Sequence, residues 1–263
     1  MQGLLTRGTF ARMTDRAFPF AASLGALVAL WIVAAWLSAD PQILPQPWTV
    51  WSIAVAEWQS GELPRHLLAT LRRVALAFAA AFALGCLLGA AMGASARVDR
   101  WAGPWVVVAQ NVPALVVIVL CYLWIGLNEV AAITAVAVNK TAMVAVTLRE
   151  GVRSLDGATA DMARAYRMSR GTRLRHVVLP QLWPYLSSAT RNGLAIIWKI
   201  VLVVEFLGRS DGIGFRIHLF FQLFETGHVL AYALSFVAIM LAIEYLLLRP
   251  VETRATRWRS ARA

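Results

Sequence analysis

Long apolar stretches alternate with short polar ones along the whole chain. A helix needs about 20 predominantly apolar residues to cross the hydrocarbon core of a bilayer. Six stretches reach that length, at 19–39, 74–94, 104–125, 129–149, 188–208 and 228–248. The pattern therefore predicts an all-α, polytopic membrane protein with six transmembrane helices. The first stretch is longer than the roughly 7–15 apolar residues of a signal-peptide core, so we interpret it as a retained helix.

Composition supports a membrane protein and excludes two other classes. Of the 263 residues, 59% are hydrophobic and 15% are charged, and the mean hydropathy is +0.63. A soluble domain is about 45–50% apolar and about 25% charged. One soluble core of this size cannot bury the additional apolar surface, and a disordered chain would be far more polar.

The basic residues predict how the helices are oriented. The formal net charge is +11, with 23 Arg and two Lys. The arginines lie between apolar stretches and form no single basic face, which favours the positive-inside rule over nucleic-acid binding. With the N-terminus inside, 18 arginines fall on the cytoplasmic side and five on the outer side. This places residues 1–18 and 249–263 in the cytoplasm, and residues 40–73 outside as a tryptophan-rich amphipathic segment.

Three glycines mark a packing face on the second span. Gly85, Gly89 and Gly93 stand four residues apart and therefore share one side of a helix. Between membrane helices, small residues permit close backbone approach and dispersion contact. We expect this face to pack against a neighbouring helix rather than to bind a ligand.

The longest polar segment, residues 150–187, is predicted to lie in the cytoplasm. Its sequence favours a short helix capped by Asp156, a break near Ser169, and a second short helix that ends before Pro180. Met162, Ala163 and Tyr166 form a narrow apolar face on the first helix. Such a helical pair suits the docking of a cytoplasmic partner; the alternative is a loop that lies on anionic lipid.

At this point the sequence resembles a known family. The loop is similar to the E-A-A-(3x)-G-(9x)-I-x-L-P segment of ATP-binding-cassette importer permeases through Asp161, Met162, Ala163, Arg167, Leu179 and Pro180. This chain has Asp for the family Glu, Met for the first Ala and Arg167 for the Gly, while the spacing to Leu179-Pro180 is kept.

Further segments extend the resemblance over nearly the whole chain. They are Leu44-Pro45-Gln46-Pro47, the stretch from His66 to Arg73, Asn111-Val112-Pro113 through Leu127, and Glu205-Phe206-Leu207-Gly208 followed by Gly212-Ile213-Gly214-Phe215. The resemblance assigns residues 66–246 to the importer-type transmembrane region, and the nitrate, sulfonate and taurine subgroup is the most similar.

The resemblance implies a function and a set of partners. It implies a permease subunit in a bacterial inner membrane, with a second permease copy, a dimer of cytoplasmic ATPase subunits and a periplasmic solute-binding protein. ATP hydrolysis would belong to the separate ATPase, and residues 161–163, 167 and 179–180 would couple the two. We expect this chain to bind no cofactor or metal, because it lacks the Gly-Lys-Ser/Thr of a P-loop and any H-E-x-x-H or Cys/His cluster.

Two lysines at mid-depth suggest what is transported. Lys140 lies near the centre of the fourth span and Lys199 near the centre of the fifth. Ionisable groups at this depth are costly, and they usually face a protein interior or a wet cavity. We take Lys140, Lys199 and Glu205 as candidates for a path that favours a small anion. In the alternative interpretation, each lysine pairs with a carboxylate or a carbonyl of a neighbouring helix.

Two other functions deserve a test. A secondary transporter needs no ATPase and would have paired broken helices in inverted halves, which the sequence does not display. Gly208-Arg209-Ser210-Asp211-Gly212 fits G-x-S-x-G, with His218 and His228 downstream, so a membrane serine hydrolase is a further alternative. The nucleophile elbow follows a strand, whereas this segment follows a predicted transmembrane helix.

Overall fold

Every regular element of the described chain is helical. The computed structural model describes residues 5–38 and 40–248. Its helices are α1 (Leu5–Ser38), α2 (Pro47–Gln59), α3 (Glu62–Ala94), α4 (Ala96–Asn111), α5 (Ala114–Ile125), α6 (Glu129–Arg153), α7 (Gly157–Ala165), α8 (Arg170–Arg173), α9 (Leu179–Gly208), α10 (Ile213–Gln222) and α11 (Thr226–Ile243). Two π-helical turns, Leu174–Val178 and Glu244–Leu248, continue α8 into α9 and extend α11.

The centre of the fold is a three-helix layer. α3 packs along α6, and α9 crosses both of them. Fully buried side chains fill the contact, among them Ala77, Ala81, Val136, Val201 and Val204. α5, α10 and α11 surround this centre, and α2 lies against α11 and α3. Many small side chains in the core let the central helices approach closely.

The structure confirms an all-α polytopic protein and leaves the number of spans as a prediction. Within the described residues, three helices are long and apolar enough to cross a bilayer: Glu62–Ala94, Glu129–Arg153 and Thr226–Leu246. The bent pair α4 and α5 gives a fourth if it counts as one span, and Ala22–Ser38 is a shorter apolar helix. The fifth predicted span lies within α9, which is not among these three helices.

The third predicted span, 104–125, is wrong as a single helix. Its residues divide between α4 and α5, whose axes are bent by 98°. Val112 is extended, with φ −71° and ψ 124°, and Pro113 precedes the first turn of α5. A residue before proline is pushed out of the α region, and proline has no N–H to continue the helix. The break was therefore readable from the sequence.

The predicted outer segment, 40–73, ends earlier than expected. α3 already begins at Glu62, directly after Gly61 in a left-handed conformation (φ +82°). Arg73 therefore lies inside the helix and is completely buried. The hydropathy pattern counts Arg73 as a polar residue and therefore predicts it outside the span. In the structure its charge is neutralised by carboxylates of other helices, which a local pattern does not reveal.

The predicted C-terminal segment and the first four residues fall beyond the described residues. The predicted cytoplasmic segment 249–263 lies outside them, as do residues 1–4 of the segment 1–18 and residue 39 at the end of the first span. The helix that contains the span 188–208 starts nine residues earlier, at Leu179. The span 228–248 corresponds to α11 with its terminal π-turn.

The glycine face of α3 lies against α6. A Cβ atom on Gly85 would stand 2.5 Å from Val144 Cβ, and one on Gly93 would stand 2.5 Å from Val152 Cβ. On Gly89 it would overlap the carbonyl oxygen of Ala145. The two backbones are thus too close for any larger residue at these positions.

Candidate functional site

The loop predicted to be cytoplasmic contains one well-formed helix, α7, and the predicted cap of this helix is confirmed. Asp156 accepts hydrogen bonds from the backbone N–H of Ala158 at 3.2 Å and of Thr159 at 3.0 Å, and from the Thr159 hydroxyl. The hydroxyl and the two N–H groups stabilise the carboxylate and hold the pKa of Asp156 below its usual value.

α7 ends in a Schellman motif whose critical position is Arg167. The Arg167 N–H donates to Arg164 O, and the Met168 N–H donates to Ala163 O, both at 3.0 Å. This pattern requires a left-handed residue after the helix, where glycine is usual. Arg167 adopts φ +47° there. The glycine of the resembling motif thus has a backbone role at this position.

The apolar residues of α7 divide between two sides of the helix. Met162 is 41% exposed and Tyr166 is 76% exposed, so these two side chains project away from the protomer. Ala163 is 2% exposed and packs into the chain's own loop, which corrects our expectation that it lies on the same outward face. Met162 and Tyr166 are four positions apart and therefore share a helix side. Asp161 is exposed and pairs with Arg164.

The second predicted helix of the loop is wrong in its end point. The chain does not stop before Pro180; the π-helical turn Leu174–Val178 leads directly into α9. Pro180 occupies the first turn of α9, where its missing N–H costs nothing. Leu179 and Pro180 are both exposed.

At the opposite end of the molecule, a buried polar network joins three helices. The arginine distribution predicts that this end is the outer one. Arg73 of α3 donates to Glu205 of α9, to Glu129 of α6 at 2.6 Å and to Asp211 at 2.9 Å. Thr70 donates to Glu205 at 2.9 Å. These five residues form what we call the outer network; in it, Thr70, Arg73 and Glu205 are fully buried.

The outer network fixes the turn between α9 and α10. The N–H groups of Gly212, Ile213 and Gly214 donate to His66 Nδ1, Thr70 Oγ1 and Glu205 Oε2, at 2.9–3.0 Å. A Cβ on Gly212, which has φ +102°, would overlap the Glu205 carboxylate. The motif with Glu205 at its start and Gly214 near its end therefore builds one rigid corner.

This corner does not provide the geometry of a serine hydrolase. Asp211 is bound by Arg73, and Arg209 lies 3.6 Å from it. His228 pairs with Glu225 at 2.7 Å, and the ring of His218 packs edge-on against Phe206. Ser210 follows a helix rather than a strand.

A second polar cluster at the same end, also not predicted from the sequence, joins α2, α10 and α11. Arg216 of α10 donates to Glu57 of α2 and to the Tyr232 hydroxyl of α11, each at 2.9 Å, and Tyr232 donates to Glu57. The cluster holds α2 against α10 and α11.

For the outer network, the sequence did contain one signal. Glu129 and Glu205 stand at the outer ends of predicted spans, so basic partners at the same depth were to be expected.

One face of α9 is polar and exposed. Ser188, Asn192, Ala195 and Lys199 recur at spacings of four, three and four, which puts them on one side of the helix. Asn192 donates to Ser188 Oγ at 3.4 Å. In the described part of the chain, Lys199 has no ion pair. A polar face of this kind is costly against lipid tails and suits water or another protein surface.

The other path candidates lie elsewhere. Lys140 is half-buried in α6 and likewise has no ion pair with a described residue. Glu205 is fully buried against Arg73, well away from the exposed side of α9 that carries Lys199. The three residues therefore do not form one cluster within the protomer.

Comparison with known proteins gives a family and several relatives. The family model described as "Binding-protein-dependent transport system inner membrane component" matches residues 81–249. "Putative aliphatic sulfonates transport permease protein SsuC" of Escherichia coli (strain K12) is 35% identical over 196 residues, which cover 72% of each chain. "Taurine transport system permease protein TauC" of the same organism is 30% identical and covers 90% of this chain and 89% of that one. "Riboflavin transport system permease protein RibX" of Chloroflexus aurantiacus is 31% identical, over 89% and 88%.

A solved structure has the same fold. "Crystal structure of an amino acid ABC transporter with histidines" matches with a TM-score of 0.62 at 22% identity, over 76% of this chain and 96% of that one. The likeness concerns the arrangement of the helices alone.

Proposed function

Because this chain belongs to the family of binding-protein-dependent transport system inner membrane components, we propose that it carries a small anionic solute, docks an ATPase through α7 and works as a pair of copies. It is a permease subunit of an ATP-driven importer, and the ATPase activity lies in a separate subunit. Membership of the family also implies an ATPase and a solute-binding protein as partners in an inner membrane.

The exposed polar face of α9 is the observation that carries the proposed solute. Lys199 stands on this face without a described carboxylate partner, and Lys140 in the central layer likewise has no ion pair with a described residue. Cations at mid-depth favour the passage of anions. The names of two relatives refer to aliphatic sulfonates and taurine, which share an anionic sulfonate group, whereas a third refers to riboflavin. Sequence identity to these relatives does not distinguish a sulfonate from riboflavin as the solute. The choice of an anionic solute therefore rests on the two lysines.

Uptake measurements test the solute. Radiolabelled taurine and ethanesulfonate are offered to cells that lack their own sulfonate uptake and express this chain with its ATPase and its binding protein. We expect uptake by the wild type and by Lys199→Arg, and a strong loss in Lys199→Met at unchanged ATPase assembly. Normal uptake by Lys140→Met and Lys199→Met, or uptake of riboflavin instead of either sulfonate, would contradict the proposal.

We infer that α7 is the helix that docks the ATPase. Met162 and Tyr166 offer an apolar, outward surface at the end of a capped and rigid helix. The double variant Met162→Ala with Tyr166→Ala should reduce co-purification of the ATPase while the permease stays in the membrane. Arg164→Ala on the opposite side of α7 is the matched control. Equal co-purification in both variants would show that this face is not the docking surface.

We propose that two copies meet around the polar face of α9. A second copy supplies the protein surface or the water-filled gap that Ser188, Asn192 and Lys199 require. In a background of Cys86→Ala and Cys121→Ala, Asn192→Cys should form disulfide-linked dimers in membranes. Leu87→Cys, an exposed position on α3, controls for random collision. Cross-linking no better than this control would refute the arrangement.

We propose that both termini lie in the cytoplasm. The 18-to-5 distribution of arginines supports this orientation. Reporter fusions after residue 15, at 160 and at 260 should report the cytoplasm, and fusions at 55 and 218 the outside. A cytoplasmic report at 55 would contradict the topology.

A further inference from the structure

A cluster of charges joins two helices at the cytoplasmic end of the central layer. Asp99 of α4 accepts from Arg153 at 2.5 Å and from Arg149 at 3.3 Å, both on α6. Arg149 also pairs with Glu150 at 2.9 Å. We call Asp99, Arg149 and Arg153 the cytoplasmic clamp. None of the three lies on the apolar face of α7, on the polar face of α9 or in the outer network.

On one side, the clamp is attached to the docking helix. Arg153 is the last residue of α6, and Asp156, which caps α7, follows three positions later. The Asp156 N–H also donates to Gln181 of α9 at 2.9 Å. A Cβ on Gly151 of α6 would stand 2.7 Å from the Tyr185 ring of α9, so the ends of these helices are packed tightly. A displacement of α7 must therefore move the residues that hold Asp99.

On the other side, the clamp is attached to the bent pair. Asp99 lies in the first turn of α4, where Ser95 caps the helix by accepting from the Val98 N–H. A carboxylate in the first turn is favoured by the helix dipole, so Asp99 is held in place by its own helix as well.

The rest of α4 is only lightly attached to the core. Val106 is its one fully buried residue in the described chain, and it packs with Met92 and Ala142 in a small separate cluster. Gln110 adds a single hydrogen bond of 3.4 Å to Ala142 O. The clamp is therefore the main polar tie between α4 and the layer that carries the docking helix.

From this geometry we propose that Asp99 is a positioning residue for transport, through which a displacement of α7 is transmitted to α4. The inference rests on the proposed docking of the ATPase at α7. When the ATPase moves α7, Arg153 and Arg149 pull on Asp99, and α4 follows. Without the carboxylate, α6 and α7 can move while α4 stays behind, so that ATP hydrolysis continues without the movement of the permease.

The test follows the far end of α4 without any solute. Asn111, the last residue of α4, is exposed. Asn111→Cys, in a chain with Cys86→Ala and Cys121→Ala, is labelled with a maleimide in the complex of permease and ATPase in nanodiscs. With Asp99 present, the labelling rate should change about fivefold between the nucleotide-free and the ATP–vanadate-trapped complex, a typical allosteric coupling.

Variants of the clamp separate transmission from mere stability. Asp99→Ala should abolish the nucleotide-dependent change while the ATPase still co-purifies and hydrolyses ATP. Asp99→Glu should keep the change, and the charge swap Asp99→Lys with Arg153→Glu should restore it. Arg100→Ala, an exposed neighbour in the same turn, is the control and should behave like the wild type.

The results distinguish transmission through the clamp from docking of the ATPase at α7. A full labelling change in Asp99→Ala, or none in the complex with Asp99 intact, would overturn the clamp as a transmitter. Failure of the swap to restore the change would show that the ion pair is not what transmits the movement. Loss of the ATPase from variants on the apolar face of α7 but not from Asp99→Ala would leave the proposed docking intact whatever the labelling shows.

Discussion

Arg167 and Asp156 show what single residues contribute to the loop that contains α7. At Arg167 the backbone sets the requirement, because the Schellman motif needs a positive φ whatever the side chain is. At Asp156 the side chain sets it, because two orphan N–H groups at the start of α7 need an acceptor. The cap was predictable from the sequence. The strain at Arg167 was visible only as a departure from the glycine of a resembling motif.

The first prediction concerns Arg167. Glycine adopts a left-handed conformation without the penalty of about 1–2 kcal/mol that an L-residue pays. Arg167→Gly should therefore make α7 more resistant to unfolding, whereas Arg167→Ala should not, because alanine keeps the Cβ. Limited trypsin digestion of membranes at Arg164 measures this resistance. Equal protection in the two variants would show that the backbone is not strained.

The second prediction concerns Asp156 and pH. Replacement of an N-cap by alanine destabilises the helix, whereas asparagine caps as well as aspartate. Asp156→Ala should speed cleavage within α7, and Asp156→Asn should not. Because the pKa of Asp156 is lowered by folding, the carboxylate stabilises α7 at pH above about 3.9, the unfolded value, and this contribution is lost as the pH falls through the folded pKa. Asp156→Asn should lack this acid-dependent loss of protection, and a loss of equal size in both would contradict it.

At the scale of elements, the contact of α3 with α6 was largely readable and the start of α3 was not. The spacing of Gly85, Gly89 and Gly93 predicts that another helix approaches α3 closely, since a repeat of four residues places small residues on one side of the helix. The beginning of α3 was hidden, because Arg73 counts as polar in any local window. Pro113 indicates a break in the helix at Val112. The apolar run on both sides of it nevertheless led to the prediction of one continuous span.

The third prediction tests the close approach. A methyl group at Gly89 would overlap the carbonyl oxygen of Ala145, and overpacking of this kind costs about 1–3 kcal/mol. Gly89→Ala should lower the Tm of the permease in detergent. Gly103→Ala in α4 is the matched control, because nothing lies within 4 Å of its new Cβ. It should raise the Tm slightly through helix propensity, and a Gly89→Ala Tm at or above wild type would contradict the packing.

At the scale of the whole molecule, the outer network and the cytoplasmic clamp tie the helices together at opposite ends. The fold class and the family were accessible from hydropathy, arginine distribution and motif spacing. The partners within the network were not, because Arg73 is separated from Glu129 by 56 residues and from Glu205 by 132. Such pairings depend on the three-dimensional arrangement of the helices, which a pattern along one chain does not encode locally.

The fourth prediction tests the network. Arg73→Leu leaves Glu205 buried without its cation, and the loss of one partner of a buried pair costs about 3–5 kcal/mol. The variant should show a strongly lowered Tm or fail to accumulate in the membrane. Arg72→Leu is the matched control: Arg72 is 64% exposed and 3.6 Å from Glu129, so its removal should change stability by less than about 1 kcal/mol. Similar behaviour of the two variants would contradict the structural role of Arg73.

The burial of Arg73 also has a consequence for biogenesis. At a translation rate of about 5–20 residues per second, Glu205 is synthesised roughly 7–26 s after Arg73. Until then the nascent α3 carries a guanidinium into the bilayer without its buried counter-ion, at a cost of about 2.5–3.5 kcal/mol if it stood at mid-depth. We therefore expect α3 to settle fully only after α6 and α9 have left the ribosome, so that the last-made half of the chain completes the insertion of the first.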